Sequence, residues 1–179
     1  MFAIVDLEST GGKPADDRIM EIAIVLHDGQ KIVDQYESLI NPERNIQEFV
    51  QQLTGIKGSM VDVAPKFSVL AQEIDSLTHD CIFVAHNIGF DYRMVQSAFK
   101  RHKMSYKRPT LCTVKLAQAL MPSSEKYNLA HLCKSLNIDN TSRHRAMGDC
   151  KATAELLNLF IESHGIDAVM DHVEGGVRA

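Results

Sequence analysis

Apolar residues run continuously in the first part of this chain and fall into helical stripes further on. MFAIVDLE at the start and RIMEIAIVL at residues 18–26 are nearly unbroken apolar segments, the pattern of strands buried on both faces. After the Asp28-Gly29 turn signal, KIVDQYESLI predicts a third strand, so the three form a hairpin meander that ends at Asn41-Pro42. Ile46, Phe49, Val50 and Leu53 then space as a short helix stopped by Gly55, and Phe67, Leu70, Ala71, Ile74 and Leu77 as a helix over residues 66–78. CIFVAH is a fourth strand, followed by a helix from about Gly89 to Lys103 with Phe90, Met94, Val95 and Ala98 inward. TLCTV reads as a short fifth strand, and helices are expected at Lys115–Leu120, Asn128–Leu136 and about Met147–Glu162. Three strands in series followed by strand–helix alternation describe an α/β fold. Its sheet is mixed, an antiparallel meander plus parallel strands, flanked by helices. Residues 1–164 make up the expected domain, and residues 165–179, ending GGVRA, lack a pattern and read as a C-terminal tail or the start of a linker.

Composition narrows the classes. With 179 residues, 45% hydrophobic and 23% charged, the chain can bury a full core. No apolar run approaches the ~20 residues of a membrane span, and Asp6 and Glu8 interrupt the first one, so neither a membrane segment nor a secretion signal is expected. Cys81, Cys112, Cys133 and Cys150 form no CxxC pair; they read as small buried hydrophobes in a cytoplasmic chain. The formal charge of −4 is divided unevenly. Residues 1–91 carry 6 basic against 15 acidic side chains, and residues 92–179 carry 13 against 8. From Tyr92 to Ser124 there is no acid, only the bases Arg93, Lys100, Arg101, Lys103, Lys107, Arg108 and Lys115. A solvated face and a surface that meets phosphates both fit that run.

Candidate chemistry lies in three short segments. Asp6 and Glu8 are two apart in a strand, so their carboxylates stand on the same side. Burying both costs several kcal/mol per ion unless something compensates. Emergence of the strand into the loop Ser9-Thr10-Gly11-Gly12 accounts for one such acid better than for two. A divalent cation with a preference for hard oxygen ligands, magnesium or manganese, would offset both. Asp91 closes the segment AHNIGFD, where a strand ends and a helix begins; the helix dipole alone could hold it there, with Asn87 as a cap and His86 as a hydrogen-bonded core histidine. His144 and Asp149 lie in RHRAMGD ahead of another helix, with Arg143 and Arg145 flanking the histidine. Imidazole titrates near neutrality and can accept a proton from water, a role poorly suited to a metal-bound carboxylate.

Taken together, VDLEST, AHNIGFD and HRAMGDCKATAELL resemble, in order and setting, the three motifs of the DEDDh 3′–5′ exonuclease superfamily. The similarity spans roughly residues 2–161 and is nearest the DnaQ-like branch, which includes the proofreading subunit of bacterial DNA polymerase III; Ser9 stands where Thr is usual. This resemblance implies a ribonuclease H-like fold and two-metal hydrolysis of the 3′-terminal phosphodiester, releasing 5′-mononucleotides. Asp6, Glu8 and Asp149 would hold one Mg2+ or Mn2+, Asp6 would bridge to a second, Asp91 would serve that second ion, and His144 would be the general base. The substrate would be nucleic acid with a single-stranded or frayed 3′ end, DNA favoured over RNA. Ser9, Thr10, Gly11, Asn87, Arg101 and Lys103 are the expected substrate contacts. Phe90 is expected to pack in the core and not to stack on a base. Relatives act alone, as DNA polymerase subunits or fused to other domains. The rival readings are an exoribonuclease of the same superfamily and a non-catalytic nucleic-acid-binding domain.

Overall fold

The computed structural model describes residues 1–141 and 144–175; Arg143, one of the two arginines flanking His144, lies outside them. Strands β1 (Phe2–Ser9), β2 (Ile19–His27) and β3 (Ile32–Leu39) form the antiparallel meander, and β4 (Ile82–Ala85) and β5 (Thr110–Cys112) extend the sheet in parallel with β1. The order is β3-β2-β1-β4-β5. The continuous apolar run of β1 follows from this order: the strand is paired on both edges and covered on both faces. β3 is the outer strand, and its alternation of polar and apolar residues is largely exposed.

Helices α1 (Glu48–Thr54), α2 (Gly58–Val61) and α3 (Phe67–Leu77) follow the meander; α4 (Asp91–Arg101) links β4 to β5, and α5 (Thr113–Leu120), α6 (Leu129–Leu136), α7 (Ala146–His164) and α8 (Ile166–Met170) complete the chain. On one face of the sheet Ile4, Val25 and Leu111 pack with Leu116, Leu132 and Leu157 of α5, α6 and α7. On the other, Val5, Ile24 and Phe83 pack with Ile74, Met94 and Phe99 of α3 and α4. The sheet is thus a sandwiched middle layer, which sets the C-terminal end of β1 where the two helical layers part. No helix of the described residues is long and apolar enough to cross a membrane.

Three details differ from expectation. Phe49 and Leu53 of α1 point outward, 61% and 55% exposed, while Ile46 and Val50 cover a small satellite core with Met20, Ile56 and Val61. A seven-residue helix buries too narrow a stripe to hold every apolar residue at helical spacing. The four-residue α2 has too little periodicity to be read from sequence. Residues 165–174, expected as a tail, are docked. Val169 of α8 is buried, and Thr110 and Glu174 exchange backbone hydrogen bonds of 2.8 Å in both directions, extending the sheet beyond β5.

Candidate active site

The parallel pairing of β1 with β4 stops at Ile4↔Val84, so the last turn of β1 projects past its neighbour. Alternation places Asp6 and Glu8 on the face shared with Ile4 and covered by α7, while Val5 and Leu7 enter the opposite core. The chain leaving β4 returns as α4 and brings Asp91, 6% exposed, to the same end; the backbone amide of Leu7 donates to its carboxyl. Asp149 enters from the first turn of α7. That helix approaches closely because its sheet-facing positions include Ala146, Cys150 and Ala154, and the Cys150 thiol donates to the Ile4 carbonyl at 2.9 Å. One carboxylate oxygen from each of Asp6, Glu8 and Asp149 lies within 4.8 Å of the others.

The electrostatics of this cluster are unfavourable without a cation. Loss of hydration, then repulsion from Asp91, Asp149, Glu8 and Glu21, pushes Asp6 well above the carboxylate range. Burial, then Glu21, Asp149 and Asp91, raises Glu8 to about 7, with Arg145 offsetting part of the effect. Asp91 is also raised to about 7 by burial, against hydrogen bonds that favour its ionised form. An all-oxygen set of half-buried, mutually repelling carboxylates fits a hard divalent cation. Groups with raised folded-state pKa values stabilise the fold below their unfolded values, and that contribution is lost as pH rises through about 7 for Glu8 and Asp91. In EDTA the cluster should therefore lower Tm between pH 6 and pH 8, and saturating Mg2+ should raise Tm more at pH 8 than at pH 6. Equal Mg2+ shifts at the two pH values would contradict the cluster as the cation site.

His144 sits five residues before Asp149 in a left-handed conformation (φ 60°), and its backbone amide donates to Asp149 Oδ2 at 3.0 Å. The histidine and the carboxylate are thereby held to one another through the backbone. His86, expected in the core, is half-buried, and it is hydrogen-bonded as expected, with its ring nitrogens 2.9 Å from Thr113 Oγ1 and the Tyr127 carbonyl. Asn87 is exposed at φ 68° and provides no side-chain cap for α4. Phe90 is half-buried against the core around α4.

The loop after β1 is built inward. Ser9 Oγ donates to the Gly11 carbonyl, and Thr10 Oγ1 donates to Asp17 while accepting from the Arg18 amide. Asp17 also accepts from the Lys13 amide, and a Cβ on Gly11 would lie 2.7 Å from its Oδ2, so a larger residue there would have to displace the Asp17 carboxylate from its bonds. Of the expected substrate contacts, Ser9 and Thr10 thus spend their hydroxyls on shaping the loop. Arg101 does similar work: its Nη2 donates to the carbonyls of Pro14, Ala15 and Asp17. Lys103 is exposed.

The acid-free stretch is divided in the same way. Arg93 donates to Gly89, Arg108 pairs with Asp75 and stacks on Tyr106, and Lys115 pairs with Glu174. Lys100, Lys103 and Lys107 are exposed.

Two site residues were missed in the sequence. Asp17 is the hub of the loop. Glu21, 4% exposed, lies directly across from Glu8 in the β1–β2 register and binds Arg145. Its signal was a single acid in the otherwise apolar run RIMEIAIVL.

The acidic cluster thus lies at the end of the central strand of a ribonuclease H-like mixed sheet. The model of the RNase_T exonuclease family matches residues 3–157, and the chain belongs to that family. The 3′-5′ exonuclease DinG of Staphylococcus aureus is 36% identical over 162 residues, covering 90% of this chain and 18% of that protein. The chain therefore spans less than a fifth of the length of that relative. A solved structure of exonuclease X in complex with 5′ overhanging duplex DNA superposes with a TM-score of 0.76 at 29% identity, covering 96% of this chain and 98% of that one. The nuclease domain of 3′hExo, a DEDDh family member bound to rAMP, shares the fold with a TM-score of 0.80 at 19% identity, over 91% and 92% of the two chains.

Proposed function

We propose that the domain hydrolyses the terminal phosphodiester at single-stranded or frayed 3′ ends of DNA, releasing 5′-mononucleotides, with two divalent cations and His144 as general base. The observation that carries this reading is the convergence of Asp6, Glu8 and Asp149 to within 4.8 Å at the end of β1. Asp91, buried beside Leu7, completes the acidic set. When bound, Mg2+ or Mn2+ stabilises charge on the attacking and leaving oxygens. The protein's own groups do the rest. Asp6, Glu8 and Asp149 would hold one ion, Asp6 and Asp91 the other. The His144 imidazole would accept the proton of the attacking water, and the bond from its backbone amide to Asp149 would hold residue 144 near the metal site. The loop Ser9–Gly12, stiffened by Asp17 and Arg101, would form one wall for the terminal nucleotide, with Asn87 on the opposite turn. Lys100, Lys103 and Lys107 would meet the phosphates of the strand behind it.

DNA is favoured because the chain is similar over nearly its full length to an exonuclease solved on DNA. The likeness to 3′hExo bound to rAMP keeps RNA as the second reading. Matched single strands of DNA and RNA of one sequence, labelled at the 5′ end and digested with Mg2+, separate the two. The DNA should shorten stepwise and the RNA far more slowly. Faster loss of the RNA would make the domain an exoribonuclease.

A further inference from the structure

We propose that Glu21 is a positioning residue that locks the start of α7 to the sheet and so sets His144 and Asp149 in place. The inference rests on the roles given above to those two residues. Arg145 Nη2 donates to Glu21 Oε1 at 2.6 Å, and Arg145 Nε is shared between Oε1 at 3.0 Å and Oε2 at 3.2 Å. Oε2 accepts from the Ala146 amide at 2.9 Å, satisfying one of the free N–H groups at the start of α7. Both oxygens are thus engaged on a side chain that is 5% exposed, and a cation would have to displace these bonds to use it. The strand bearing Glu21 is paired on both edges, so the anchor is rigid.

What it anchors is a short lever. Arg145 is the extended N-cap of α7; His144, one residue before it, adopts the left-handed region, and Asp149 follows within one turn. The Arg145 carbonyl accepts from the amides of Gly148 and Asp149, so the position of Arg145 fixes the first turn itself. Glu8 and Glu21 are direct partners across β1 and β2. On one face of the sheet, β1 therefore carries a proposed metal ligand and β2, beside it, the clamp that places a second ligand and the base. A single carboxylate thus ties β2 to a helix start 124 residues later in the chain.

The test is a double-mutant cycle on the whole chain with a single-stranded oligonucleotide and saturating Mg2+. Glu21→Ala and Arg145→Ala should each lower kcat about 10- to 100-fold, the range for outer partners of metal ligands, with little change in KM. The double variant should be no slower than the slower single variant. Methylguanidinium should restore part of the rate to Arg145→Ala but not to the double variant, a rescue that a merely structural role would not give. Glu21→Gln, which keeps the shape and one acceptor, serves if Glu21→Ala does not fold. Additive losses, or a fall in Mg2+ affinity equal to that of Glu8→Ala, would overturn the proposal. Amide exchange at Gly148 and Asp149 should speed up in Glu21→Ala, and unchanged exchange would also overturn it. This readout needs no turnover, so an inactive wild-type protein would refute the exonuclease reading while the clamp is still decided.

Discussion

Asp6→Asn and Asp149→Asn should each abolish nuclease activity, by about 10³-fold or more, while making the metal-free protein more stable at pH 8. Asp6→Asn removes a carboxyl that burial and neighbouring acids keep from ionising, and Asp149→Asn removes one of the acids that repel Asp6 and Glu8. Without the cation the variant should melt above wild type. With Mg2+ the order should reverse, because wild type gains the binding energy and the variant does not. The loss of rate follows from the several kcal/mol of charge stabilisation that a correctly held cation supplies. Asn keeps the acceptor that the His144 amide uses at Asp149, so the backbone link survives. Turnover assays paired with melts in EDTA and in Mg2+ check this. An Asn variant that is inactive and also less stable in EDTA would mean that the carboxylate serves the fold.

His144→Asn should lower kcat by about 10²- to 10⁴-fold, the usual contribution of a positioned general base, and leave Mg2+ affinity near that of wild type. Asn is the informative replacement here. The backbone at residue 144 is left-handed, a conformation that Asn tolerates and Ala resists, so His144→Ala would add strain to the loss of the imidazole. Kinetics over a Mg2+ titration separate the possibilities. Parallel loss of rate and of metal affinity would make His144 a ligand, and an unaffected rate would remove it from the chemistry.

Much of the fold was legible because local pattern and tertiary role agree. Continuous apolar runs mark β1 and β2, and both are buried on two faces. The acids of the site were legible for the opposite reason, since two carboxylates on one side of such a strand conflict with their surroundings. Glu21 poses the same conflict in β2, but its compensation lies 124 residues away at Arg145, a distance that no local pattern reveals. Arg101 shows the limit from the other side. Its place in a basic stretch suggested a phosphate contact, yet its guanidinium ties α4 to carbonyls more than 80 residues earlier. Charge composition could not separate arginines spent within the fold from lysines left on the surface. The docking of residues 165–174 was hidden for a different reason: a five-residue helix and one backbone bridge carry almost no periodic signal.

The central claim is that the acids gathered at the end of β1 drive removal of nucleotides from the 3′ end. One digestion tests it most directly: a single-stranded DNA labelled at either the 3′ or the 5′ terminus, followed over time with Mg2+ and with EDTA. The 3′ label should appear at once as a free mononucleotide, the 5′-labelled strand should shorten one residue at a time, and EDTA should stop both. Release of the 5′ label first, internal cleavage, or digestion that continues in EDTA would contradict it.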